Sequence, residues 1–492
     1  DEDHRGSQSG ADRRGSRRSV TVTGSASSSE TQSIWSTLRE AVRGSTADFT
    51  ETSIGRAVIL LAIPMVLEML MESVFAVADV FYVGRLGITD AVSTVGFTES
   101  IMTILYATAM GLSVGAAATV ARRIGERDPE GAAKAAVQSI VLGLTVGIVV
   151  GAVGILFAPA LLRLMGADES VVATGSRFAR IMIGASGGVT LLFLINAVFR
   201  GAGDAAIAMR VLWIANAINI TLGSCLIFGI GPFPRLGVTG AAIGTSVGRW
   251  TGVLIQIYCL TRKDGRIRIR WPHLRLDPHV MRGILSISGT ATFQNFIGTA
   301  SYMGLVRIIS GFGSAAVAGN TIGIRVILFA LLPSWGVSNA AVTLVGQNLG
   351  AGRPDRAEAS AWKAGLYNTY CLTSIGAIFL LAAPLIVSAF TQDAEVASHA
   401  IHCLRIVSAG FLFYGYGMVL TAAFNGAGDT RTPTLINLFS LWLLEIPLAW
   451  VLAYPLGFGP TGAFIALSVG FSTLCFLSVW IFRRGEWKAR RV

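Results

Sequence analysis

Twelve apolar runs alternate with short polar breaks along the chain, near 57–83, 92–121, 134–162, 170–199, 206–231, 237–261, 281–311, 317–347, 360–390, 396–425, 432–455 and 460–482. Each is long enough to cross a hydrocarbon core of roughly 30 Å as a helix rising about 1.5 Å per residue. None shows the strict alternation of a membrane barrel strand. The pattern predicts an all-α polytopic membrane protein of twelve transmembrane helices. The most polar internal break, 262–280, carries Arg262, Lys263, Arg266, Arg268, Arg270 and Arg275 and parts six runs from six. This gives an N-terminal lobe over 55–261, a basic linker over 262–280, a C-terminal lobe over 281–482 and a basic tail over 483–492. Residues 1–50 are polar and poor in aromatics, a composition that predicts a disordered tail.

The two sets of runs repeat each other. Gly111 and Ser113 match Gly336 and Ser338; Gly125 and Pro129 match Gly350 and Pro354. Ala158-Pro159 matches Ala383-Pro384, and Gly201-Ala202-Gly203-Asp204 matches Gly426-Ala427-Gly428-Asp429. Every match is offset by 225 positions. Six spans per repeat set both halves the same way up, related by an axis along the membrane normal. In parallel-repeat transporters the sites lie near the midplane, and one half rocks against the other.

Composition agrees, with 53% hydrophobic and only 14% charged residues, against roughly 25% charged in soluble domains. The net charge of +11 does not form a basic stripe with stacking aromatics, so nucleic acid is not an expected partner. Instead the positives gather in alternate loops: Arg122, Arg123, Arg127 and Lys134; Arg200 and Arg210; the linker; Arg353, Arg356 and Lys363; Arg431; and the C-terminal Arg483, Arg484, Lys488, Arg490 and Arg491. The positive-inside rule makes that face, and both termini, cytoplasmic in a multi-pass protein of the cell (cytoplasmic) membrane. Cys225, Cys259, Cys371, Cys403 and Cys475 form no CxxC pair, and the five histidines lie in tails, loops or helix starts. With no Walker or nucleophile motif, the chain reads as neither an enzyme nor an ATP-driven pump, with no cofactor and no structural metal.

Ionisable residues inside spans are the candidates for mechanism. Glu68, Glu72 and Asp79 lie on the first helix, at roughly 0°, 40° and 20° around its axis, on one face. A charge at a helix centre costs about 2.5–3.5 kcal/mol even on the mildest scale, so such a face turns toward a bundle interior or a watery cavity. A carboxyl held there suits loading and releasing a proton; at an interface it is merely solvated. Asn196, Asn219 and Thr245, on the fourth, fifth and sixth spans, either line one polar pocket with that face or simply join helices. Arg307, Arg325, Arg405 and Glu445 in the second half either pair with acids or snorkel. Pro64, Pro333 and Pro447 interrupt spans. Gly201, Gly203 and Asp204, echoed by Gly426, Gly428 and Asp429, read as structural turns in which Asp caps the next helix.

Three segments then carry a resemblance. They are Ala78-Asp79-Val80-Phe81-Tyr82-Val83-Gly84-Arg85-Leu86-Gly87, Phe199-Arg200-Gly201-Ala202-Gly203-Asp204 and Phe424-Asn425-Gly426-Ala427-Gly428-Asp429. With the six-plus-six repeat, they make residues 55–482 resemble the multidrug and toxic compound extrusion (MATE) family, in its prokaryotic DinF-like branch. The resemblance implies a secondary active antiporter that exports organic cations or amphipathic drugs in exchange for protons or sodium ions, by alternating access between two lobes. It implies a coupling site at Asp79, Asn196 and Asn219, where a sodium ion would also bind, with Thr245 beside it. The family pattern places a second Asp four residues beyond the helix-five Asn, where this chain has Gly223; Glu72 or Glu68 would supply the missing charge. A monomer in the lipid bilayer is expected. The alternatives are a flippase for lipid-linked saccharides or cell-wall precursors, kept open by the second-half arginines, and a membrane receptor or scaffold that transports nothing.

Overall fold

The computed structural model describes residues 34–85, 89–262 and 265–490. Residues 1–33 of the expected tail, Leu86 and Gly87 of the first motif, Lys263 and Arg491 lie outside the described residues. The helices of the first half are α1 (Ile34–Arg43), α2 (Ile54–Gly84), α3 (Thr89–Gly125), α4 (Pro129–Leu164), α5 (Glu169–Gly184), α6 (Ser186–Ala202), α7 (Ala205–Phe228) and α8 (Val238–Thr261). The second half has α9 (Pro278–Ser310), α10 (Ser314–Gly350), α11 (Pro354–Ser388), α12 (Ala394–Ala409), α13 (Phe411–Gly426), α14 (Arg431–Asn437), α15 (Ile446–Ala453) and α16 (Pro460–Arg484). A π-helical stretch, Leu438–Glu445, joins α14 to α15.

Counting α5 with α6, α12 with α13, and α14 through α15 as single spans gives six spans per lobe. The α12–α13 span bends by 60°. Nine helical stretches among the described residues are long and apolar enough to cross a membrane, and the bent pair makes ten. The remaining two spans, α8 and α9, are more polar: α8 holds Arg249 and Gln256, and α9 holds Gln294 and Asn295 amid Ser, Thr and Gly. Among the described residues there is no strand, as backbone groups in lipid must be satisfied within a helix or a closed barrel.

Small residues let these helices touch, and the contacts reveal the axis between the lobes. Gly125 abuts the Gln347 carbonyl, while Gly350 abuts the Arg122 carbonyl; each is the other displaced by the repeat offset. A Cβ on Gly201 would stand 2.6 Å from the Ala117 carbonyl oxygen, and one on Gly426 would stand 2.5 Å from that of Val342. The ends of α3 and α10 thus close against each other at the face that bears the described ends of the chain. There Gly125→Ala and Gly350→Ala are each expected to cost about 1–3 kcal/mol through overpacking against rigid backbone. Gly283→Ala, on an open stretch of α9 with nothing within 4 Å, is expected to stabilise by about 0.5–1 kcal/mol. Thermal melting of the three purified variants reads the difference, and equal behaviour would remove the close-contact argument.

The expected disorder of residues 1–50 is corrected over 34–50. Residues 34–43 form α1, and Ala41 and Phe49 are buried. The composition is polar, but its polar groups are used. Glu40 pairs with Arg56 at 2.6 Å, and Arg266 donates to the carbonyls of Ser45 and Ala47 while its guanidinium covers the Phe49 ring. From the other lobe, Arg353 donates to the Thr50 carbonyl at 2.6 Å and Arg356 donates to the carbonyls of Phe49 and Thr52. Residues 45–52 therefore strap the two lobes together across this face. Thr50 amide and hydroxyl bonds, with Arg127 and Arg266 nearby, hold the Asp48 carboxyl below its ordinary range against the opposing effect of burial.

Candidate cation site in the N-terminal lobe

The acids of α2 do face inward together, against α6, α7 and α8, but they do not share one pocket. Glu68 and Asp79 are eleven residues apart, which is ~16 Å along the helix. Three separate polar stations result.

At the first station Glu68 is 1% exposed and pairs with Arg200 of α6 at 2.7 Å. It also accepts from Asn196 Nδ2 at 3.1 Å, and Asn196 Oδ1 accepts from Gln256 of α8 at 2.6 Å. At the second, Glu72 receives Arg249 of α8 in a two-pronged pair at 2.8 and 3.3 Å. The Arg249 guanidinium lies over Phe75 and Phe193, 5.3 and 5.9 Å from the ring centroids, a contact that shields the pair from competing water. At the third, Asp79 lines a cavity of about 10 Å³ with Phe75, Ala78, Tyr82, Asn219, Gly223 and Ala241. That is roughly the space one water centre needs. Thr245 of α8 donates to Asn219 Oδ1 at 3.3 Å, so it reaches this station through Asn219.

Of the residues expected at one cation site, the structure brings Asp79, Asn219 and Thr245 together. Asn196 belongs to the Glu68 station, and Glu68 and Glu72 are each committed to an arginine. Among the described residues Asp79 has no ion pair and no hydrogen bond. Asp79 acts electrostatically on Glu99 of α3, which also feels Arg325 of α10 in the other lobe. Gly223 lies where an acid was expected, and a Cβ there would meet only Asn219 Oδ1, at 3.6 Å. The glycine is also the close-approach point for Gly244 of α8.

Sequence reasoning missed Arg249, Gln256 and Glu99, and it read Arg200 only as a loop charge. A charged residue in the middle of the 237–261 run carried the same signal as the acids did. The second-half arginines do not converge: Arg405 donates to the Leu380 carbonyl at 3.2 Å, whereas Arg307 is exposed near the end of α9. The turn motifs keep their backbone role, with Gly203 and Gly428 in the left-handed region at φ 90° and 82°. The expected cap is corrected at Asp204, whose side chain makes no capping bond to α7. It pairs instead with Arg266 of the linker at 3.2 Å; burial nonetheless pushes this carboxyl above its ordinary range. Asp429 does receive the Thr432 hydroxyl, at 2.6 Å, as α14 begins.

Two six-span lobes joined at one face, with ionisable stations buried inside a lobe, define a membrane transporter rather than an enzyme. The MatE family model matches residues 64–224 and 291–451, one match in each lobe, and the chain belongs to the MatE family. The "Probable multidrug resistance protein NorM" of Thermotoga maritima is 25% identical over 445 residues, 89% of this chain and 94% of that protein. The "FAD transporter" of Shewanella oneidensis is 25% identical over 411 residues, 82% of this chain and 88% of that protein. Among solved structures, an outward-facing multidrug resistance MATE family transporter superposes with a TM-score of 0.83 at 24% identity, over 92% of this chain and 98% of that one. This likeness shows the fold.

Proposed function

We propose that the chain is a secondary active antiporter that exports organic cations or amphipathic drugs from the cytoplasm in exchange for protons or sodium ions. The observation that carries the coupling role is the contrast along α2. Two acids are neutralised by buried arginines, and Asp79 alone keeps a carboxylate free at a cavity between helices. A committed ion pair does not readily exchange a cation, because losing either partner leaves a buried charge. A free carboxylate beside the Asn219 amide can take up a proton or a small cation and give it back. The relatives named as multidrug proteins support the substrate class. Alternating access is supported by lobes that close at the terminal face through glycine contacts. Glu99 and Arg325, exposed on α3 and α10, place opposite charges on the two lobes farther along those helices. We place the strapped, basic face in the cytoplasm, in a monomer within the cytoplasmic membrane.

The test reconstitutes the full chain in liposomes and follows export of a fluorescent organic cation under an imposed proton gradient or sodium gradient. Export driven by one gradient identifies the ion. Export under neither, with no drug-dependent flux of either ion, would sink the antiport reading.

A further inference from the structure

The C-terminal lobe buries a carboxyl that the Asp79 station does not use. Glu445 ends the π-helical stretch Leu438–Glu445 and is 1% exposed. It forms no ion pair among the described residues, and its Oε2 has no hydrogen-bond partner. Its other oxygen, Oε1, lies 3.5 Å from Ser301 Oγ of α9. That hydroxyl lies 2.8 Å from the Leu441 carbonyl. One hydroxyl has one proton to give, and the shorter contact with a carbonyl takes it. Ser301 Oγ is then left with a free lone pair, to which a protonated Glu445 Oε1 at 3.5 Å can donate. Among the described residues, no cation pairs with Glu445. Gly470 of α16 turns bare backbone to it, and a Cβ there would stand 2.7 Å from Oε2. Tyr414 of α13 is the titratable group whose electrostatics it enters.

The position also has a counterpart. Glu445 corresponds to the Asn219–Ile220 position of α7, and because the N-cap Gly237 of α8 matches Gly459 of α16 at an offset of 222, Gly470 corresponds to Gly248, which stands against Asn219 as Gly470 stands against Glu445. The α9 helix, the span from α14 through α15, and the α16 helix of the second lobe correspond to α2, α7 and α8 of the first. Glu445 therefore occupies, in the C-terminal lobe, the depth at which the Asp79 cavity lies in the N-terminal lobe. Single π turns inside helices mark functional sites often, because the widened turn leaves backbone groups and side chains out of the regular ladder. An unpaired carboxylate at this depth would be strongly disfavoured, and neutralisation is the usual resolution.

We propose that Glu445 is a proton-binding site of the C-terminal lobe, loaded in this conformation through bonding to Ser301 and emptied when the π-helical stretch rearranges during transport. Loading adds one proton to the carboxylate and emptying returns it to water. The coupling part of this proposal rests on the antiport reading; the protonation part does not.

The experiment compares wild type, Glu445→Gln and Glu445→Asp, all reconstituted as the full chain with carbon-13-labelled glutamate. Infrared spectroscopy near neutral pH reads the stretch of protonated carboxyls, and proton counting reads protons moved per substrate exported. Glutamine keeps the shape of the neutral side chain, so folding should survive. The expected result is loss of a labelled protonated-carboxyl band in Glu445→Gln and a fall of about half in the proton count, with Asp79 carrying the rest. Glu445→Asp should restore the count. An unchanged band in Glu445→Gln would overturn the site, and a lost band with an unchanged count would overturn its exchange. The Asp79 reading fails separately, if Asp79→Asn keeps gradient-driven export while Glu445→Gln loses it.

Discussion

Asp79→Asn is expected to cut gradient-driven export about 5–150-fold while leaving the protein folded. The two parts of this result come from the same geometry. Asp79 contributes no ion pair or hydrogen bond among the described residues, so replacing one carboxylate oxygen by an amide nitrogen removes no partner. Stability should stay within about 0.5 kcal/mol of wild type, as for substitutions away from any named packing or pairing feature. Function should respond far more. The amide cannot titrate, so the cavity that Asp79 shares with Asn219 no longer exchanges a cation when the lobes rock. Coupling free energies of 1–3 kcal/mol correspond to about 5–150-fold changes, and a loss in that range of drug accumulation against a gradient is expected. Asp79→Glu, which keeps the carboxyl, should retain part of the activity. Drug flux down its own concentration difference should persist in Asp79→Asn, which separates lost coupling from lost binding. If Asp79→Asn exports against a drug gradient at the wild-type rate, coupling belongs elsewhere.

The pattern of apolar runs and the constant repeat offset made the two-lobe architecture legible before any coordinates. Those signals are long-range and redundant, so no single residue decides them. Gly125 and Gly350, matched by offset, turned out to be the two sides of one contact. The strap at 45–52 was illegible for a different reason. Its groups are satisfied by Arg266, Arg353 and Arg356 from distant parts of the chain, and polar composition alone looks the same with or without those partners. The site was half legible. Helical periodicity fixed the azimuth of Glu68, Glu72 and Asp79, but azimuth says nothing about depth or about the residue on the facing helix. Asn196 and Asn219 looked like members of one pocket because both lie on neighbouring spans. Their depths differ, and Asn196 ends beside Glu68 while Asn219 ends beside Asp79. Counting charges in the spans would have helped. Arg249 interrupts an apolar run as conspicuously as Glu72 does, and two buried opposites in one lobe call for pairing.

The other buried pair, Glu68 with Arg200, predicts the larger loss of stability. Arg200→Met is expected to destabilise the protein by about 3–5 kcal/mol, because it leaves Glu68 buried without its counter-charge. The Glu68 side chain is 2% exposed and that of Arg200 is 10%, so water cannot replace the missing partner. Asn196 still donates to Glu68 Oε1, but one neutral donor does not balance a charge in a lipid-embedded lobe. The double variant Glu68→Gln with Arg200→Met removes both charges and keeps an acceptor for Asn196. Replacing a buried pair by neutral groups of similar size is often close to neutral, so the double variant should recover most of the loss. Melting of the two single variants and the double variant in detergent closes the cycle. Recovery in the double variant would show that the penalty is an orphaned charge, which is also why Glu68, held this way, does not exchange its cation as Asp79 can. A double variant as unstable as Arg200→Met would mean that the arginine acts through the packing of its stem against the neighbouring helices, and Glu68 would then return as a candidate for coupling.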